Sequence, residues 1–281
     1  MKRRVLGRTG EELSILGMGG IVVSELEQAE ANRIVAEAVD RGVNYFDVAP
    51  SYGDAEERLG PALEPYRKDV FLACKTGSRD RDGSAKDLET SLKRLRTDHV
   101  DVYQLHGLMD LDDVEKAFGP GGAIETFEAA KRDGKARFLG FSAHAEEAAL
   151  AALDRFPFDS VLFPFNFACW SGGFGPQVME AAKAKGMGRL ALKAAARTFW
   201  SGEEQKHPKC WYEPYDDPDT ARLAFYWTLS QDVTAAVSPG QHELFPMMLD
   251  LAEKFRPITP EEEQQLRGIT EGLTPIFPQE E

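Results

Sequence analysis

A chain of 281 residues with 42% hydrophobic side chains has the material for a sizeable core, which excludes global disorder. A formal net charge of -14 argues against nucleic acid and anionic membrane surfaces as partners. Cys74, Cys169 and Cys210 lie far apart and form no CxxC pair, so iron–sulfur and zinc-ribbon sites have no ligand set and no metal is expected. Sparse cysteines suit a reducing compartment. The basic start, Met1-Lys2-Arg3-Arg4, runs into Gly7 and polar residues without an apolar signal core, and no run is long enough to span a bilayer. A cytoplasmic protein with no membrane partner is expected.

Residues 3–16 read as a hairpin around a Gly7-Arg8-Thr9-Gly10 turn. In Gly17-Met18-Gly19-Gly20 the glycines suggest a tight turn, or a close backbone approach to a ligand; Val22 stands where a dinucleotide GxGxxG would need its last glycine. Ser24 and Glu27 have capping-box spacing ahead of a helix that carries Ala31, Ile34, Val35 and Ala38 on one face and stops at Gly42.

The stretch Asn44-Tyr45-Phe46-Asp47-Val48-Ala49-Pro50-Ser51-Tyr52-Gly53 reads as a buried strand that ends in a turn. Taken alone, Asp47 is a carboxylate that caps the turn and Tyr52 packs a loop. A charged group at a strand exit is costly unless it is paired or used.

The same unit then repeats. A short helix near 54–64 leads to the apolar run 70–74, which ends on Lys75. Ser84 is placed to cap a helix with Leu88, Leu92 and Leu95 on one face. The strand 100–105 ends on His106, the strand 136–141 on Ser142, the strand 160–165 on Asn166 and the strand 189–192 on Lys193. Helices near 122–132, 145–154, 176–185 and 219–229 lie between these strands. The strand 233–237 leads to Ser238-Pro239-Gly240 and a last helix over 242–254, and residues 256–281 form a tail with one short helix from Pro260. With residues 15–18 as the first strand, eight strands alternate with helices. That pattern predicts a single (β/α)8 TIM barrel over residues 1–281, with the N-terminal hairpin capping the barrel bottom.

In such a barrel all strand C-termini meet at one rim, so Asp47, Lys75, His106, Ser142 and Asn166 converge there. Each has a structural reading as a rim residue or turn former, but jointly those readings need five coincidences at one face. The sequences Asn44 to Gly53, Cys74-Lys75-Thr76, Tyr103-Gln104-Leu105-His106-Gly107 and Gly140-Phe141-Ser142, with the opening Leu6-Gly7-Arg8-Thr9-Gly10, resemble the aldo-keto reductases, bacterial members among them. The resemblance covers roughly residues 3–255 and implies that Asp47, Tyr52, Lys75 and His106 are a catalytic tetrad. It implies hydride transfer between NAD(P)H and the carbonyl of an aldehyde or ketone, with NADP(H) as the cofactor and NAD(H) as the alternative.

The chemistry suits those residue types. A free tyrosine has a pKa of ~10, poor for donating a proton near neutrality. An ammonium ~4 Å away in an effective dielectric of ~20 is worth about 4 kcal/mol, enough to bring the phenol down by about two to three pH units. Asp47 would hold Lys75 charged, and His106 would orient the carbonyl oxygen.

The resemblance also places Ser142 on the nicotinamide amide, with His144 standing in for the family's asparagine where Ala143 departs from it, and Asn166 nearby. Lys193, with Leu192, replaces the tyrosine that stacks on the nicotinamide. Gly19, Gly20, Asp47, Gly240 and Gln241 are also expected against the cofactor. No base for a 2′-phosphate follows strand eight until Lys254, so a helix N-terminus at 241–243 is the expected phosphate contact. The long loop 194–217 reads as a lid or a packed excursion. Its Trp200, Trp211, Tyr212 and Tyr215, with Trp170 and Phe174, are the expected apolar wall for substrate beside Tyr52 and His106, or else bury their own loop. Two other readings stay open at this stage: a non-catalytic nicotinamide-binding, redox-sensing module, and a barrel aldolase with Lys75 as a Schiff-base lysine.

Overall fold

The computed structural model describes residues 1–202 and 205–278. Two short strands, β1 (Arg3–Val5) and β2 (Glu12–Ser14), pair antiparallel as the expected hairpin. Eight strands then close a barrel: β3 (Leu16–Gly19), β4 (Tyr45–Asp47), β5 (Phe71–Thr76), β6 (Val100–Leu108), β7 (Ala136–Ala143), β8 (Ser160–Phe163), β9 (Gly188–Ala191) and a last strand, Ala235–Val237, which pairs with both β9 and β3. Every neighbouring pair in the barrel is parallel. Between β9 and that last strand lies a second hairpin, β10 (Ala196–Thr198) with β11 (Glu213–Pro214), so the last barrel strand is β12.

Helices cover the outside: α1 (Gln28–Asp40), α2 (Ala55–Leu63), α3 (Arg81–Arg94), α4 (Leu111–Phe118), α5 (Ala123–Arg132), α6 (Glu146–Arg155), α7 (Phe167–Ser171), α8 (Pro176–Ala184), α9 (Pro218–Ser230), α10 (Phe245–Glu253) and α11 (Pro260–Thr270). Among the described residues no helix is long and apolar enough to cross a membrane.

Two layers of core follow from the period of two along each strand. Phe46, Leu72, Cys74 and Tyr103 face the helices. Tyr45, Phe71, Ala73, Val102, Leu162, Leu190 and Ala235 form a separate cluster inside the barrel. Leu6 and Leu13 of the hairpin join that inner cluster, both fully buried, so the hairpin caps the N-terminal end of the barrel. Arg4 fixes it by donating to the carbonyls of Val233 and Leu229, each at 2.7 Å.

Several local expectations change. Gly17 and Gly19 lie within β3 rather than in a tight turn: a side chain on Gly17 would strike the Tyr45 ring, so the glycine makes room for that ring inside the barrel. Ser24 does not cap α1. Its hydroxyl donates to the Ile21 carbonyl, and the helix opens at Gln28, though Ala31, Ile34, Val35 and Ala38 are buried as expected. Ser84 sits buried inside α3, which starts earlier because the Asp80 carboxylate accepts from Gly83 N–H at 2.8 Å. Two further helices, α4 and α7, have no counterpart among the elements expected from the sequence.

Candidate active site

β4, β5 and β6 are neighbours, and their register stacks the polar residues. Asp47 pairs with Ala73, and Lys75 lies two residues on, so both side chains point inward. Lys75 pairs with Gln104, and His106 follows two residues later. A register irregularity between Leu105 and Leu108, with Gly107 at φ +59°, bends β6 there and aims the His106 ring at the rim.

The Lys75 ammonium is fully buried and donates to the Asp47 carboxylate and, at 3.1 Å, to the Val48 carbonyl. The other oxygen of Asp47 accepts from the Tyr45 hydroxyl and from the Gln104 amide, both at 3.2 Å. The ammonium lies 5.5 Å from the centroid of the Tyr52 ring, and the His106 ring stands edge-on to Tyr52 at 5.6 Å between centroids and 86°. Closure therefore brings together all four residues expected from the sequence.

Electrostatics separate their states. Burial alone would push the Lys75 pKa down, but the Asp47 carboxylate and the Tyr52 phenol outweigh it and the net direction is up, so the lysine is a cation. Tyr52 corrects the sequence expectation. Loss of solvent raises its pKa, Lys75 pulls it back, and Asp47 and Cys74 push it up again; the net shift is upward, so the phenol is protonated in this state. His106 is driven down to about 3 by burial and by the cations Lys75, Arg79 and Lys193, and stays a neutral imidazole near pH 7. Its Nδ1 is 3.4 Å from the Ser51 hydroxyl.

The model of the Aldo/keto reductase family matches residues 15–263. An uncharacterized oxidoreductase of Bacillus subtilis is 35% identical over 156 residues, 50% of this chain and 49% of that protein, so the match spans about half the length of that relative. L-galactose dehydrogenase of Arabidopsis thaliana is 30% identical over 228 residues, 73% of this chain and 69% of the relative. Among solved structures, an aldo-keto reductase from Bacillus halodurans in its holo form superposes with a TM-score of 0.75 at 25% identity and 96% coverage of both chains. The chain belongs to the aldo/keto reductase family.

In this aldo/keto reductase a cavity of about 120 Å³ is lined by Asp47 and Tyr52 of the four residues together with Gly19, Ser238, Gly240, Lys193 and Lys209. Gly20 does not line it. It opens a 3-10 turn, Gly20–Val23, packed against Val48. The Ser142 hydroxyl accepts the Gly107 N–H at 2.7 Å and so ties β7 to the bend in β6. Asn166 caps α7 through its oxygen, which accepts from Cys169 N–H at 3.0 Å, while its buried amide nitrogen has no protein partner. His144 faces Lys193 at 3.0 Å and stacks on Phe277. Gln241 accepts the Lys209 N–H at 3.3 Å.

Two of the expected wall residues stand elsewhere. Trp170 packs edge-on against Trp227, and Trp200 donates to the Cys210 carbonyl at 2.7 Å; neither lines the cavity, whereas Trp211 and Tyr212 of the expected wall do. After β12 a 3-10 helix, His242–Leu244, with Gln241 as its N-cap and carrying the Glu243 carboxylate, runs directly into α10 at Phe245, so a helical N-terminus stands at 241–243 as expected. A lysine of the long loop stands beside this turn: Lys209 lines the cavity with Gly240, its backbone N–H donates to Gln241 and its ammonium donates to the Ser24 carbonyl. No sequence periodicity marks that lysine. Among the described residues no cluster of His, Cys, Asp or Glu suits a metal ion.

Proposed function

We propose that the protein is an NAD(P)H-dependent carbonyl reductase in which Tyr52 is the general acid and base. The observation that carries this reading is the buried Lys75 cation, held by Asp47 and facing a protonated phenol beside a neutral imidazole. A bound dihydronicotinamide would supply the hydride, which no side chain can. The chain's residues then manage charge and protons. The alkoxide left on the substrate is a far stronger base than a phenolate, so Tyr52 can give up its proton although burial raises its pKa. The Lys75 ammonium stabilises the phenolate that remains, and this attraction exists only once charge has developed. Asp47, with Lys75, Tyr45 and Gln104 donating to it, keeps that ammonium charged and oriented. Neutral His106 uses Nδ1 toward Ser51, which leaves Nε2 to donate to the carbonyl oxygen and aim it at Tyr52.

The residues fit a nicotinamide dinucleotide. The unpartnered Asn166 amide nitrogen is a buried donor looking for an acceptor such as the carboxamide oxygen. Lys209 offers a cation for phosphate at the Gly240 side, which favours NADP(H) over NAD(H). Burial lowers the Lys209 pKa, a cost that phosphate would offset. Steady NADPH oxidation against a panel of aldehydes tests the reading. Turnover that needs both components supports it; cofactor binding without turnover would make the protein a binding module.

A further inference from the structure

Lys193 has features that a cofactor contact does not account for. It is a non-glycine residue at φ +58°, a conformation that side chains avoid unless their surroundings impose it. It is 9% exposed, and its ammonium lies 5.3 Å from the Trp211 centroid and 5.2 Å from the Phe277 centroid. Its hydrogen-bond partner is His144 Nε2 at 3.0 Å. Among the described residues it has no carboxylate partner, whereas Lys75, the other buried lysine at this rim, is paired with Asp47. A buried cation without a counter-charge is costly, and an anion drawn into the cavity removes the cost.

The same cavity contains Tyr52 and Asp47, so an anion held by Lys193 sits within one small molecule's length of the proton donor. The dinucleotide's phosphates have their own base, Lys209, toward Gly240. We propose that Lys193, oriented by His144, is a specificity-determining receptor for a carboxylate on the substrate, and that the preferred substrates are small aldehydes or ketones bearing a carboxylate. The proposal rests on the reductase reading. The aromatic walls suit it: Trp211 and Phe277 flank the ammonium with their rings, and β10 fastens the tail that carries Phe277, through Thr198 and the Thr274 carbonyl at 2.8 Å.

The groups around Lys193 set its charge. Burial lowers its pKa to about 7, Cys169 on α7 opposes that, and Lys75 on β5 adds to it. The Cys169 thiol is itself pushed up by burial and is not an anion, and His144 and His106 are neutral near pH 7, so none of these neighbours is a counter-ion. The receptor is therefore charged below about pH 7 and fades above it, and a bound carboxylate extends it upward.

The test compares 4-formylbenzoate with its methyl ester, which share an aldehyde and differ in the charge. The ratio of their kcat/KM values cancels every step common to both. At pH 6 it is expected to favour the acid by at least about tenfold, and to decline toward one through pH 8 to 9. In Lys193→Met the ratio is expected to be near one at every pH. A non-reacting probe, benzoate, is titrated by calorimetry in parallel and is expected to bind the native protein at least about tenfold more tightly than Lys193→Met. Benzoate binding that depends on Lys193, without turnover of either aldehyde, would keep the receptor and sink the reductase. Turnover of both aldehydes at a ratio near one in the native protein, which needs no variant to fold, overturns the receptor and keeps the reductase. A Lys193→Met variant that loses NADPH affinity while keeping the ratio assigns the lysine to the cofactor and also overturns it.

Discussion

The Arg79 guanidinium donates to the main-chain carbonyl of His106 at 2.8 Å and to that of Gly107 at 3.1 Å, while Asp113 holds its other edge at 3.1 Å. This ties the bend in β6 to the starts of α3 and α4, and so fixes where the imidazole stands.

Arg79→Ala is therefore expected to act on the chemistry through geometry. Misplacing a catalytic group by about 1 Å costs on the order of 100-fold in rate. A loss of kcat of about 10- to 100-fold is expected, with cofactor affinity retained. Steady-state kinetics beside a cofactor titration separate the two. An unchanged kcat would show that the bend holds itself.

The two rim histidines set an acid limit on stability. Burial, then Lys75, Arg79 and Lys193, hold His106 down at about 3; burial, then Lys193 and His106, hold His144 down at about 2. Both are lowered from 6.5, so the unfolded chain takes up protons below pH 6.5 that the folded one refuses until about pH 3 and about pH 2. Stability contributed by these groups is complete above pH 6.5 and falls as the pH drops through that window. Two such groups give a slope of about 2.7 kcal/mol per pH unit near pH 5. His144→Gln is expected to remove about half of it, measured as the change in urea midpoint between pH 7 and pH 5.

Leu6 plugs the inner cluster from outside the barrel, and β9 admits it at Gly188, where a side chain would strike Leu6. Leu6→Ala is expected to cost about 2–5 kcal/mol, read from urea denaturation at unchanged m-value. A cost below about 1 kcal/mol would mean that the hairpin is decoration.

Lys209→Ala is expected to weaken NADPH by about tenfold, and NADH less, if the base meets the 2′-phosphate. Fluorescence titration with both cofactors decides. Equal losses would move the contact to the pyrophosphate, and no loss would remove Lys209 from the site.

The barrel was legible because each strand is an apolar run ending on a polar residue, and the spacing repeats. The sequence also points to Asp47, Lys75 and His106, since strand ends share a rim. What it hides depends on distance. Lys209, Arg79 and Phe277 meet the site only through long-range packing, and nothing local marks them. Helix α4 buries only Val114 and Ala117 behind an acidic first turn, so it reads as a polar loop. Ser84 reads as a cap because it is a hydroxyl ahead of an apolar face, but the Asp80 carboxylate, four residues earlier, is the stronger acceptor. A pairwise Coulomb argument with Lys75 gives the opposite sign for Tyr52 because it leaves out the desolvation that outweighs it.

The most direct measurement is Tyr52→Phe, which removes one hydroxyl from a half-buried ring and little else. Its NADPH affinity is expected to match that of the native protein while single-turnover reduction of a good aldehyde substrate falls by at least about 1,000-fold. Reduction within about tenfold of the native rate, with the cofactor bound normally, would contradict the assignment of Tyr52 as the proton donor.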